Sequence, residues 1–443
     1  MPINSTNRPM RATTDASNLS ILPPVAYCGE VWYHDLVIHS PTTQRLPLSL
    51  ILIGLITALI LSSCTAASAD STDSVPAAPV RVQEAYFYKP PRDGTTAQDL
   101  AARADLIILT RTDEPFRDAV RDAGYSGIIL QYMLAAEVSG PVDAVRADAP
   151  CNAQHRPWRN QAAFRVGEFC ALIHPNDDWF LHNARGERLY TNWPGHTGYF
   201  YHMNPASPGW RAFLIARLRQ ALNGDAQEPA LGYDGVFLDN VALSLWKLRA
   251  QVSNSDGVVR EFETDDAYRA AWIGLLRDLS DALRPTWPVW ANLIVDSSPS
   301  QGWNDYLSHL DGVMVEAFAT GWRNNVPPDQ WERGLTQAEE TLRQGKGYLA
   351  VVQARDQALL PFALASYLLI ADGRHAFFRY AEKGDYAIYP HYPLLDIDLG
   401  APEGPRYRQN DGAWRRDFAR GYVVAYPDTK TARIVLNGET LTE

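Results

Sequence analysis

From residue 82 onward, short apolar runs alternate with longer amphipathic ones. VQEAYFY (82–88), DLIILT (105–110), SGIILQYM (126–133), DGVFLDN (234–240), PVWANLI (288–294), DGVMVEAF (311–318), GYLAVVQAR (347–355) and HAFFRYA (375–381) predict eight strands. They are apolar on both faces and rich in β-branched residues, as strands of a parallel sheet covered on both sides should be. The runs between most of them have helical spacing. EPFRDAVRDAG stops at a glycine, DDAYRAAWIGLLRDLSDALRP at Pro285, and PPDQWERGLTQAEETLRQG opens on proline and closes on glycine. LPFALASYLLIADG is apolar all round and predicts a buried helix.

Eight such units over residues 82–400 predict an α/β fold, a (β/α)8 TIM barrel. A doubly wound open sheet would want a glycine-rich phosphate loop after an early strand, and the sequence has none there. The rhythm breaks once. Residues 134–204 are long, polar and aromatic, and predict an insertion after the third strand. The tail, 406–443, has a different texture. VVAYP and ARIVL flank DTKT as a hairpin within a small C-terminal β module, minimal or truncated as the sequence stands.

The chain ahead of the barrel follows other rules. Arg45 precedes an apolar run that ends in Leu61, Ser62, Ser63 and Cys64. This is the pattern of a bacterial lipoprotein signal over 45–64, with Cys64 as the lipidated residue. Residues 65–81, rich in Ser, Ala, Asp and Pro, predict a flexible tether. Residues 1–44 are too long for the basic region of a signal and read as a leader that is either foreign to the native protein or unstructured. These features predict a monomer on the bacterial cell envelope, anchored to membrane by an N-terminal lipid. Cys151 and Cys170 remain for the mature domain; in an oxidising compartment they form either a disulfide or two buried thiols.

The formal charge of −11 argues against nucleic acid as a partner. Thirteen tryptophans and 21 tyrosines supply either sugar platforms or core packing. The chemistry is sharper. Barrel active sites sit where the strands end. Asp234 opens the fourth strand and Asp239 closes it, and an offset of five puts them on opposite faces. DGVFLD (234–239) and DGVMVE (311–316) align without gaps. Glu316 is therefore expected beside Asp239 across the mouth, on another even-numbered strand. Two such carboxylates push their pKa values apart and suit glycosidic bond cleavage, one as nucleophile or base and the other as acid. Without that pair, the chain would be a carbohydrate-binding lipoprotein on a degenerate barrel.

The runs GYDGVFLDN, VEAF and RDFARGYVVAYP resemble the hypothetical glycoside hydrolase 15 family of TIM barrels, which is distinct from the glucoamylases. More distantly, they are similar to endo-α-1,4-polygalactosaminidase barrels. The resemblance covers roughly residues 82–436. It implies a glycoside hydrolase with Asp239 as nucleophile and Glu316 as acid/base, and needs no cofactor.

Other strand-end residues are candidates for holding a carbohydrate substrate. Tyr88 closes the first strand, Gln131 the third, Asn240 the fourth and Asn292 the fifth. Gln353 and Arg355 close the seventh and Arg379 the eighth; an arginine here could bind an acidic sugar or pair with Asp239. Trp179 and Trp193 in the insertion are either sugar platforms or packing residues. The insertion also carries His174, Asp177, Asp178, His182 and His202, but in no ligand spacing that predicts a metal.

Overall fold

The computed structural model describes residues 80–295, 302–322 and 324–441. The leader, the lipoprotein signal with Cys64 and almost all of the tether lie outside the described residues. Eight parallel strands close into a barrel: β1 (Glu84–Phe87), β2 (Ala104–Leu109), β3 (Ile128–Leu134), β4 (Gly235–Ala242), β5 (Val289–Ile294), β6 (Gly312–Val315), β7 (Gly347–Ala354) and β8 (Ala376–Glu382). Each falls within or beside a run the hydrophobic pattern selected.

Of the helices between them, Ala97–Arg103, Pro208–Asn223 and Asp265–Leu283 start at a side-chain cap. Thr96 and Asp99 form a capping box at α1 (Ala97–Arg103). After α2 (Glu114–Asp122), Ser207 accepts from the Trp210 amide at the head of α3 (Pro208–Asn223). The short α4 (Trp246–Ala250) precedes α5 (Asp265–Leu283), which buries Tyr268, Trp272, Leu275, Leu276, Leu279 and Leu283 along one stripe. It stops two residues before Pro285, whose ring excludes helical geometry just upstream. After α6 (Trp303–Leu307) and α7 (Pro328–Arg343), α8 (Leu360–Ile370) is buried on every side. Its uniform apolarity has a cause in the tail. A five-stranded antiparallel sheet spanning 407–441 packs on α8, which also contacts β8. Arg416 from that sheet donates to the carbonyls of Leu368, Leu369 and Ala371 and closes the C-terminus of α8. The tail thus completes the core beside β8, where only a 3-10 turn, Pro393–Asp396, and no α-helix follows among the described residues.

The insertion forms a three-stranded antiparallel sheet over the barrel mouth, ordered Glu137–Gly140, Tyr199–His202, Tyr190–Thr191. Cys151 and Cys170 are disulfide-bonded within it, with Cα atoms 5.7 Å apart.

Strand phase fixes which side chains enter the barrel. Ala85, Phe87, Leu106, Ile108, Leu130, Tyr132, Phe237, Trp290, Met314, Leu349 and Val351 share one inner cluster, and the alternate residues pack outward on the helices. Trp290 fills the floor. A Cβ at Gly312 or Gly347 would stand only 2.4 or 2.1 Å from its ring, so the glycines opening β6 and β7 are packing requirements.

Candidate active site

The inward phase of β4 and β6 carries Phe237 and Met314 in the core, then Asp239 and Glu316 one layer higher. Asp239 does not end its strand, as the sequence suggested. β4 runs on to Ala242, with Leu238 opposite Ala291 but Val241 opposite Leu293, so it carries one extra residue there. Asn240 takes a left-handed conformation, φ 62°, at this bulge.

Asn292, inward on β5, connects the two acids. Its Nδ2 donates to Asp239 Oδ1 at 2.9 Å and to Glu316 Oε2 at 2.8 Å. Those two oxygens therefore stand no farther apart than both bonds laid end to end, about 5.7 Å. The amide orientation has a physical reason, because the reverse would aim an acceptor at two carboxylates. Asp239 also accepts from the Tyr132 hydroxyl and, at 2.8 Å, from the Asn240 amide. Glu316 accepts from the Tyr386 hydroxyl at 2.8 Å, and Gln353 Nε2 reaches that hydroxyl at 2.6 Å.

The electrostatics act on Glu316 and on the two tyrosines. Burial and then the nearby Asp239 push the Glu316 carboxyl up to about 7, against the opposing bonds from Tyr386 and Asn292. Burial, reinforced by the adjacent carboxylate, also holds the Tyr132 and Tyr386 hydroxyls well above their ordinary range, so both remain donors.

Of the residues the sequence proposed, Asn292 and Gln353 join this centre directly. Tyr88 stands on the rim, 4.8 Å from the Tyr132 ring, and Trp193 packs on the same aromatic cluster. The remaining candidates need correction. Gln131 lies on the outward phase of β3 with Ile129 and Met133, so the inward residue at this level is its neighbour Tyr132. Asn240 is turned away by the bulge and is occupied by Glu137 at 3.2 Å and Lys247 at 2.9 Å. Arg379 neither faces substrate nor pairs with Asp239. β8 meets β1 at a single residue pair, and the Arg379 guanidinium lies between the rings of Tyr86 and Tyr389 and donates to the Ile388 carbonyl. Arg379 therefore braces the loop carrying Tyr386. Arg355 is exposed beyond the end of β7. Trp179 packs on Trp210 and Phe213 of α3, on the outside of the barrel. The insertion's histidines serve separate local bonds: His174 with Arg188, His182 with Glu261, and His202 with Thr191.

Three contributors were missed. Tyr386 comes from the loop after β8, where no periodicity marks it. Trp158, from the insertion, stands edge-on to Tyr132 at 5.8 Å. Glu137, buried behind the bulge, binds Asn240 and also takes the Lys247 ammonium at 3.4 Å. Tyr132 shares the inward phase of Leu130, which the sequence, apolar on both faces of this strand, did not mark.

No curated protein matches the chain. Among solved structures, the glycoside hydrolase domain of PelA from Pseudomonas aeruginosa is similar at 18% identity and a TM-score of 0.41, covering 73% of this chain and 98% of that one. A cycloisomaltooligosaccharide glucanotransferase from Paenibacillus sp. is similar at 13% identity and a TM-score of 0.40, over 62% of this chain and 39% of that one. An alpha-galactosidase from Thermus thermophilus is similar at 14% identity and a TM-score of 0.30, over 62% and 59%. Residues 152–422, more than half of the chain, match hypothetical glycosyl hydrolase family 15, and the protein belongs to that family.

Proposed function

We propose that the protein cleaves a glycosidic bond of a polysaccharide or oligosaccharide with retention, using Asp239 as nucleophile and Glu316 as acid/base. The observation that carries this reading is Asn292 Nδ2 bonded to both carboxylates. Retaining glycosidases hold their carboxyl groups about 5–5.5 Å apart, whereas inverting ones leave about 6.5–9.5 Å for a water. The spacing that one nitrogen can bridge favours the former.

The steps follow from the partners. Tyr132, Asn292 and the Asn240 amide fix the Asp239 carboxylate for attack on the anomeric carbon. Glu316, with its pKa pushed up to about 7, holds a proton near neutrality and delivers it to the leaving oxygen. Once the covalent glycosyl-enzyme forms, Glu316 has given up its proton, and with the charge on Asp239 gone it stays ionised more readily. It then serves as base for the incoming water.

Export and lipid anchoring are part of the same proposal. They are supported by the sequence around Cys64 and by the Cys151–Cys170 disulfide, a bond that persists in oxidising compartments.

The test is the anomeric configuration of the first product, followed by proton NMR on a polysaccharide panel. Retention is expected. Inversion, or full turnover by either Asp239→Asn or Glu316→Gln with the fold intact, overturns the assigned roles. Binding without turnover in the unaltered chain would favour a carbohydrate-binding protein.

A further inference from the structure

A cavity of about 800 Å³ opens between the β2–α2 loop, the insertion and the approach to β4. Its lining is cationic in a chain whose net charge is −11: Arg111, Arg156, Arg159 and Arg165 face Glu114 and Glu228. The two acids are already engaged. Glu228 pairs with Arg165 and, at 3.5 Å, with Arg111, and Glu114 accepts from the Thr112 amide. Arg156 and Arg159 are exposed and make no ion pair among the described residues. The cavity therefore keeps an excess of positive charge.

Two buried groups mark the groove as built to take a ligand. Arg111 is 7% exposed, lies 3.7 Å over the Phe164 ring, and has no hydrogen-bond partner for Nε among the described residues. Asn160 is 4% exposed; its side chain bonds Tyr88, while its Oδ1 is unpartnered among the described residues. Both line a narrower groove with Lys89, Arg159, Trp158 and Asp113, the last already bonded to the Thr110 amide. Trp158 also packs edge-on against Tyr132, the residue that donates to Asp239. The groove and the arginine cavity share Arg111, Thr112, Pro157 and Arg159, and Trp158 stands between the groove and the aromatic cluster beside Asp239.

We propose that this cavity is a substrate subsite for an anionic sugar residue, held by the guanidinium groups while its chain runs over Trp158 toward the carboxylates. Planar guanidinium forks suit a carboxylate or sulfate ester, and an aromatic ring suits a sugar face. The orphaned Asn160 oxygen is placed to accept from a hydroxyl. This assignment rests on the hydrolase reading above and adds the substrate class.

The experiment is calorimetric binding to the full chain carrying Glu316→Gln, so that probes stay intact. The probes are hexagalacturonate, a chondroitin sulfate hexasaccharide and neutral maltohexaose. Binding of the first identifies a uronate, and of the second a sulfate ester. Charge reversal at exposed Arg156 and Arg159 (R156E/R159E) should weaken the acidic probe by about tenfold or more, and raised salt should do likewise. Arg111→Lys, which keeps the charge but loses the fork, should also weaken it. The assignment is overturned by unchanged affinity in R156E/R159E, by equal affinity for maltohexaose, or by no binding of either acidic probe.

Turnover by the unaltered chain separates the two readings. Cleavage of a neutral chain, indifferent to R156E/R159E, removes the anion subsite and keeps the hydrolase. Acidic binding without cleavage of any probe does the reverse.

Discussion

The two ends of β4 and β6 use one sequence pattern for different purposes. At the floor, Asp234 accepts from the Ile129 amide at 2.7 Å, pairs with Arg121 of α2, and donates its own amide to the Ile129 carbonyl. Asp311 repeats this: it accepts from the Val289 amide at 2.9 Å, pairs with Arg284 just past α5, and donates to the Val289 carbonyl. Each aspartate ties the foot of its strand to the preceding strand and to the end of a preceding helix. At the top, the carboxylates at the matching offset share Asn292 and nothing else that is direct. Asp239 has a tyrosine from β3 and a bulged backbone amide; Glu316 has a tyrosine from the loop after β8, backed by Gln353. Repetition at the floor makes a scaffold. Asymmetry at the top gives the two carboxylates different partners, with the Glu316 carboxyl pushed up to about 7.

The largest effect should come from breaking the top. Asp239→Asn and Glu316→Gln should each lower kcat on natural glycosides by about 10²–10⁴-fold or more. The two losses should differ in kind. On an aryl glycoside whose leaving group needs no proton, glycosylation should recover in Glu316→Gln and stay lost in Asp239→Asn. Pre-steady-state release of the aryl group measures this, and equal recovery in both variants would contradict the division of roles.

Breaking the floor should reverse the pattern. Asp234→Ala or Asp311→Ala removes a charge-assisted bond to a backbone amide and should destabilise the fold by about 1–3 kcal/mol. Chemical denaturation reads the loss, and kcat in the folded protein should be near that of the unaltered chain. A collapse of kcat without loss of stability would mean that the floor and top are not separate devices.

How much of this division was legible follows from what each residue's position depends on. The barrel was legible because its strands are buried on both faces and the runs between them have helical spacing bounded by proline and glycine. The carboxylate pair was legible because phase is local: an offset of five inverts the face, and the same offset on two strands sets the same height. Gln131 and Tyr132 show the limit. Both faces of β3 are buried, so alternation of polarity could not say which neighbour looks inward. The β4 bulge also left no mark in the sequence, and it turns Asn240 from the mouth toward Glu137 and Lys247. Tyr386 and Trp158 arrive from loops placed by Arg379 and by the insertion, which are tertiary facts. The arginine cavity joins residues from the β2–α2 loop, the insertion and the approach to β4. No single stretch of sequence announces it.

The asymmetry at the top can be sharpened by titration. Burial and Asp239 together raise the Glu316 carboxyl to about 7, and the Asp239 share is removable. The general acid works protonated, so kcat/KM should fall as pH rises through about 7. In Asp239→Asn, the carboxyl of Glu316, followed by ¹³C NMR, should titrate lower by about one unit, because the like charge has gone while burial remains. An unmoved titration would mean that burial alone sets it.

The smallest effect tests the partner that distinguishes Glu316 from Asp239. The Tyr386 hydroxyl favours the ionised form of Glu316 by donating to Oε1. Tyr386→Phe removes that donor, so the proton should be held more tightly and the alkaline limb of kcat/KM should move upward. The shift should be modest, about half a unit, because burial and the Asn292 bond are untouched. Gln353 Nε2 also lies 3.5 Å from the same oxygen and is released from Tyr386 by the substitution. If Gln353 takes over the bond, Tyr386→Phe combined with Gln353→Ala should move the limb farther than the sum of the two single changes. Strict additivity would show that the two donors act on Glu316 independently. A downward shift in Tyr386→Phe would mean that the hydroxyl stabilises the protonated acid instead, and Tyr386 would no longer be the donor that lowers the Glu316 proton affinity.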